Sequence, residues 1–286
     1  MIVEQHVAAE RLWPEDTVLQ PFTSGGALSI AEDLAGRHAY DVASGGTTAQ
    51  TTAVEPLRNR LLSALEPDEY ARIRPHLELV HIPQRQLLFD SNAPIGHVYF
   101  PETMVVSLVS RLTEGGTVEV GTAGYEGMAG LPLFLGDVRS SVRAFVEVPG
   151  MATRMDAGSF ATIAGATGPL HRILLRYTLA FLTQVSQTAA CNAAHLVHER
   201  CARLLLMTHD RVTGSTLPLS HEYMAFMLGV RIAGVTTAMR ALKDAGLIQY
   251  TLGWVEVIDP VGLERASCEC YRAVRNHTER LLPRRA

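Results

Sequence analysis

Within "RIAGVTTAMR", Arg231, Thr236, Thr237 and Arg240 carry groups suited to recognition rather than to making or breaking bonds. Val235, Ala238, Met239 and Leu242 recur at spacings of three and four, which predicts a helix from about Arg231 to Asp244 with these residues facing inward. Thr236, Thr237 and Arg240 then face outward, joined at the N-terminal end by Arg231, Ile232 and Ala233. A helix entering the major groove of a duplex needs a leading surface without bulk, because that groove is only about 12 Å wide. Arginine bridges guanine acceptors or phosphates there, threonine offers its hydroxyl or methyl, and Ile232 and Ala233 offer apolar contact to thymine methyls.

A second set of residues carries sulfur and imidazole. Cys191, His195, His198 and Cys201 are spaced 4, 3 and 3, broadly on one side of a continuous helix. Such a helix spans about 15 Å over this stretch, too far for four ligands to meet one ion. Only Cys191 and His195, paired across two subunits, would remain. Cys268 and Cys270 are two apart in a predicted helix and should face different sides, unlike a CxxC chelate. The expectation is no metal site and reduced thiols, four cysteines being too few and too clustered for a disulfide framework. "HERCA" and "HEYMA" begin like a zinc-protease helix, but Ala202 and Ala225 stand where the second histidine belongs. With no nucleophile elbow, no P-loop and the wrong glycine spacing in "GTAGYEG", no enzyme is expected.

The elements around the outward face explain how it would be held. Ser220 is a natural N-cap, Glu222 sits in the first turn, and His221 to Leu228 reads as a short helix stopped by Gly229. Gly246 follows the second helix, and "LIQY", "TLG" and "WVEVI" predict a hairpin. Two short helices, a glycine turn and a hairpin make a winged helix-turn-helix. Upstream, "LELVHI", "QLLFD", "HVYFPETMVVSLVSRL", "TVEVGTAG" and "SSVRAFVEV" predict an antiparallel roll preceded by two short helices. A long helix from about Leu170 to Ala194 is apolar most of the way round, so two covered faces are expected: the roll on one side and a second copy of the helix on the other. The fold class is therefore α+β, divided as a flexible arm over 1–55, the roll over 56–168, a dimerisation helix over 169–194 and a winged domain over 195–286.

Charge follows the same division. Residues 195–286 hold 12 basic against 9 acidic side chains, net +3, while 1–194 hold 13 against 20, net −7, within a total of −4. A basic C-terminal part suits a polyanion. No window approaches the eighteen or more uncharged apolar residues of a membrane span, and "MIVEQHVAAERLWPED" lacks the order of a signal peptide, so a cytoplasmic protein with no membrane partner is expected.

Ala225, Gly229 and Val235, with the "AGLI" after the second helix, resemble the helix-turn-helix of the Crp/Fnr family of bacterial transcription regulators. The order of roll, long helix and winged domain resembles that family over roughly residues 56–275. The resemblance implies a cyclic-nucleotide-binding-like roll, a homodimer, double-stranded DNA as partner and contact with the transcription machinery. Cyclic-AMP-binding members open the second helix with an Arg-Glu pair and place another Arg a turn later. Ile232, Ala233 and Thr237 occupy those positions, so the base code must differ. In the ligand cassette "GMAGLPLFLGDVRSS", Gly127 stands at the ribose glycine, Met128 at the ribose glutamate, and Arg139 and Ser140 at the phosphate pair. Methionine cannot accept the ribose hydroxyl's bond, so usual cyclic-AMP binding is not expected. Iron-sulfur members carry cysteines near the start of the roll, whereas the first cysteine here is Cys191. No cofactor is expected, and an unidentified small-molecule effector is left open. The rival reading is a nucleotide-sensing module whose winged domain binds protein.

Overall fold

A computed structural model of the chain describes residues 58–112, 116–165 and 167–283. The arm expected over 1–55 lies outside the described residues. Two short helices, α1 (Arg60–Ser63) and α2 (Pro67–Ile73), precede the strands. Asn59 caps α1 by accepting from the Leu61 and Leu62 amides, and its own amide donates to the Pro101 and Gly127 carbonyls. One buried side chain thus ties the entry of the fold to the strands.

Seven strands follow: β1 (Glu78–Ile82), β2 (Leu87–Phe89), β3 (His97–Pro101), β4 (Val105–Arg111), β5 (Thr117–Ala123), β6 (Arg143–Val148) and β7 (Gly150–Asp156). They form two antiparallel sheets, ordered β1-β7-β3 and β2-β6-β4-β5. Ile82, Phe89, Val106, Ala144, Val146 and Ala152 pack between them. Register shifts between Val105 and Val106 and between Leu108 and Val109 bend β4, as closing a roll requires. The central strand β7, "GMATRMD", was not among the strands read from sequence. Its glycine start is set by tertiary packing, because a Cβ on Gly150 would come within 2.6 Å of Thr103 Oγ1. Two short helices, α3 (Leu131–Phe134) and α4 (Ala157–Ile163), close the roll, with Asp156 capping α4.

The long helix α5 spans Pro169–Ala194. Leu170, Leu174, Tyr177 and Ala180 enter a core with Val98, Phe100, Met128 and Phe160. Gln184 locks the helix to β5: its Oε1 accepts from the Thr122 amide at 2.6 Å and its Nε2 donates to the Thr122 carbonyl at 3.1 Å. Of the two faces expected to be covered, the chain itself covers this one. On the other, Leu175, Leu179 and Leu182 remain 51, 47 and 58% exposed.

Helix α6 (Val197–His209) runs beneath the winged domain, made of β8 (Thr216–Leu217), α7 (His221–Leu228), α8 (Ile232–Asp244), β9 (Ile248–Thr251) and β10 (Trp254–Val257), with sheet order β8-β10-β9. Roll residues Val109 and Phe145 share its core, and the Phe145 ring lies 6.2 Å from both Tyr223 and Phe226. Two further helices, α9 (Pro260–Ala266) and α10 (Cys270–Leu281), return along the molecule. Helix α10 packs on α5 and ends where Arg60 pairs with Glu279 at 2.7 Å and donates to the Leu282 carbonyl.

Polar groups are buried where the roll meets α6. Arg211 pairs with Glu126 at 2.7 Å, and Thr208 donates to Glu147 at 2.8 Å. Burial lifts the Glu147 carboxyl from 4.5 to about 7, against the opposing pull of Thr208 and Arg211. Burial and repulsion from Glu147 lift Glu119 as well. The folded chain therefore holds a proton on Glu147 that the unfolded chain releases near pH 4.5. Stability from this group is greatest below that value, declines as pH rises and levels off above about pH 7. Glu147→Gln is expected to remove up to about 1.4 kcal/mol per pH unit of this slope, so the variant gains on the parent between about pH 5 and about pH 7 in urea unfolding. An unchanged stability difference across that range would contradict the assignment.

Candidate nucleic-acid interface

Helices α7 and α8 are bent 114° from one another, the geometry of a helix-turn-helix. Ser220 caps α7 by accepting from the Tyr223 amide at 3.1 Å. Gly229 ends it at φ 61°, a left-handed conformation that costs other residues about 1–2 kcal/mol, and Val230 then donates back to the Ala225 carbonyl. The small residue Ala225 is buried on the inner side of this turn.

Val235, Ala238, Met239 and Leu242 of α8 are buried, as the spacing required. Arg231, Ile232, Ala233, Thr236, Thr237 and Arg240 are all exposed. Arg231 is the N-cap rather than the first helical residue, and it makes no side-chain cap bond, so the leading amides of α8 have no side-chain partner from it. That end is suited to a phosphate. Thr237 donates to the Ala233 carbonyl, Thr236 Oγ1 lies 3.3 Å from His221 Nδ1, and neither guanidinium has a hydrogen bond or ion pair among the described residues.

Beside α8, the hairpin presents surface that the sequence reading did not single out. Gly253 turns it at φ 81°, leaving Leu252 fully exposed and Trp254 half exposed. Lys243 lies 4.9 Å over the Tyr250 ring, which places a cation between helix and wing. The "TLGW" turn was legible, but which of its side chains stand clear depends on Ile248, Val255 and Val257 turning the other face of the hairpin into the core. Basic character is thus shared between Arg231 at the start of α8 and Arg240 and Lys243 along it.

The four residues of the ligand cassette fall in two places. Gly127 lies under the Tyr177 ring, which a Cβ would strike, and the Tyr177 hydroxyl donates to the Met128 carbonyl at 2.7 Å. Met128 is buried among Val98, Phe100 and Leu174, so its side chain packs the core instead of lining a ligand site. A long apolar side chain under α5 gains more from packing than from facing water. Arg139 and Ser140 belong to the loop before β6. Arg139 is exposed and donates to the Asn92 carbonyl at 3.0 Å, while buried Ser140 accepts from the Asn92 and Val142 amides. A separate cleft between roll and C-terminal helix is lined by Arg60, Tyr125, Glu126, Arg211, Tyr271 and Arg275, and by none of the four.

The thiols and imidazoles are arranged differently from the helical spacing read in the sequence. Cys191 and His195 meet Cys268 and Cys270, whereas His198 is exposed and Cys201 is buried in the core beneath the winged domain. Helical spacing was the wrong guide, because α5 ends at Ala194 and His195 is extended, with φ −107° and ψ 152°. Cys268 lies outside any helix, so its side chain is free to turn toward the same point as that of Cys270.

A strand roll, a long helix and a winged helix-turn-helix thus follow one another along the chain. Residues 199–266 match the model of the Crp-like helix-turn-helix domain. No curated protein matches the chain. Among solved structures the chain is similar to a regulator assigned to the Crp/Fnr family from Eubacterium rectale, at 16% identity and TM-score 0.57, covering 72% of this chain and 96% of that one. FixK2 from Bradyrhizobium japonicum has the same identity and score, over 67% and 98%. The c-di-GMP-responsive regulator CLP of Xanthomonas campestris is 18% identical with TM-score 0.53, over 67% and 99%. The chain has the fold of these Crp/Fnr-type structures, and its residues 199–266 form a Crp-like helix-turn-helix domain. Among the described residues no single helix is long and apolar enough to cross a membrane.

Gly229→Ala is expected to cost about 1–2 kcal/mol in chemical denaturation, because the turn needs positive φ. The new Cβ would also press Val118, at 3.3 Å, where the turn rests on β5.

Proposed function

We propose that the chain works as a homodimer, reading a two-fold symmetric DNA site with paired α8 helices while its roll biases their placement. The observation that carries this reading is the exposed face of α8, two arginines and small side chains with few internal partners. Affinity comes largely from neutralising phosphates, and the two helices would lie about 34 Å apart, one duplex turn.

Dimerisation is supported by the uncovered side of α5. Leu175, Leu179, Leu182, Ser186, Ala189 and Ala193 are all exposed and recur at 4, 3, 4, 3 and 4, the spacing of a two-helix seam. Leucine at one end and small residues at the other let two copies approach closely. Coupling to the roll is supported by α7 packing on β5, where Gly229 rests on Val118. A ligand acts on such a dimer only through its different affinity for two arrangements. Cyclic AMP is not that ligand in the usual way, since Met128 offers no carboxylate and lies in the core.

Arg231→Ala and Arg240→Ala are each expected to weaken operator binding by about 1–3 kcal/mol and to flatten its salt dependence. The operator is obtained by selecting bound duplexes from a random pool with and without cyclic nucleotides. Unchanged binding in both variants, or no enriched palindrome, would refute the reading and favour a protein partner for the winged domain. Leu179→Glu combined with Leu182→Glu is expected to give a monomer in sedimentation, burying carboxylates in the seam being unfavourable.

A further inference from the structure

Where α5 ends, three thiols and one imidazole converge from two distant stretches of chain. Cys191 and His195 come from the last turn of α5 and its cap; Cys268 and Cys270 come from the link between α9 and α10 and the start of α10. Their ligand atoms all lie within 4.8 Å of one another. The Cys191 and Cys268 sulfurs are 3.5 Å apart, and the Cys270 sulfur is 3.4 Å from His195 Nδ1. We propose that Cys191, His195, Cys268 and Cys270 form a Cys3His site for one zinc ion, which fastens the joint between α5 and α6 to the C-terminal helix.

The spacing fits that ion. A tetrahedral centre with bonds of about 2.3 Å to sulfur and about 2.0 Å to nitrogen places neighbouring ligand atoms about 3.5–3.8 Å apart. Four protein ligands close the coordination sphere, the pattern of a structural rather than a catalytic zinc. Three thiolates and an imidazole also select a soft or borderline ion over magnesium or calcium.

Groups around the four are placed as an outer shell. Glu269 Oε1 is 3.2 Å from His195 Nε2, the nitrogen on the far side of the ring, which holds Nδ1 toward the sulfurs. Gln187 Nε2 lies 3.1 Å from the Cys270 sulfur, a donor suited to a thiolate. Carboxylate–histidine–metal relays of this kind orient the ligand ring. A zinc with three thiolates carries a net negative charge, and Arg200 and Arg203 lie close enough to act electrostatically on the cysteines. All three thiols are free and buried. A Cys191–Cys268 disulfide would use two of these groups and leave Cys270, His195 and Glu269 arranged around nothing.

The site has a mechanical consequence. His195 and Leu196 are extended, so the α5–α6 joint has no helical hydrogen bonding through it. A zinc there would hold the joint to a segment 77 residues later in the chain. Helix α10 would then be pinned at both ends, by the metal at its start and by Arg60 at its finish.

Metal content of the full chain, purified under reducing conditions, tests this directly. One zinc per chain is expected, and cobalt titrated into metal-stripped protein should saturate at one equivalent with the intense visible bands of a tetrahedral thiolate centre. Cys191→Ser and Cys268→Ser should lose the metal, Glu269→Gln should weaken binding about tenfold or more, and Cys201→Ala should keep full stoichiometry. Cobalt bands of octahedral type, zinc no higher in the parent than in Cys191→Ser, or a Cys191–Cys268 disulfide in peptide maps of protein isolated without reductant would each overturn the proposal. The cobalt spectrum of the parent needs no variant to fold, and none of these measurements depends on DNA binding.

Discussion

Burial of Arg211 against Glu126 determines where the helix-turn-helix stands relative to the roll. The guanidinium donates to Glu126 and to the Met207 carbonyl, and burial of the pair leaves neither charge a good alternative partner. Removing one member of such a pair leaves an uncompensated buried charge, at a cost of about 3–5 kcal/mol. The segment that carries Glu126 is shaped around this contact. A Cβ on Gly124 would meet the Arg211 side chain at 2.6 Å, and one on Gly127 would strike Tyr177. "GTAGYEG" is therefore a close-approach segment, through which roll, α5 and α6 touch one another.

From that contact outward, each element has two jobs. Strand β5 closes one sheet, supports α5 through the Thr122–Gln184 pair and receives α7 near Gly229. Helix α5 gives one face to the roll and leaves Leu175, Leu179 and Leu182 exposed on the other. The exposed face of α8 is consequently two steps removed from the roll's interior, by way of β5 and α7.

Much of the interface was legible from residue order. Ser220, Gly229, Gly246 and the spacing of Val235, Ala238, Met239 and Leu242 act locally, through capping, positive φ and helical period, and the fold honours them. Strand β7 and the role of Met128 were not legible. "GMATRMD" has weak alternation because Thr153 and Arg154 bond to Glu102 and Glu78, residues about fifty and seventy-six positions away. Met128 was judged by alignment to a ligand position, while its surroundings are set by α5 lying across it.

The sulfur and imidazole groups mark the same boundary more sharply. By itself the sequence determined the helix-turn-helix, the long helix and the outward residues of α8, since these follow from interactions within about four residues. It could not place Cys268 and Cys270 beside Cys191 and His195. That meeting exists only because α10 folds back along α5, held by Arg60 at its far end, and because the chain leaves helical geometry at His195. Contacts made by the return of a distant segment carry no periodic signature, so tertiary structure alone decided them.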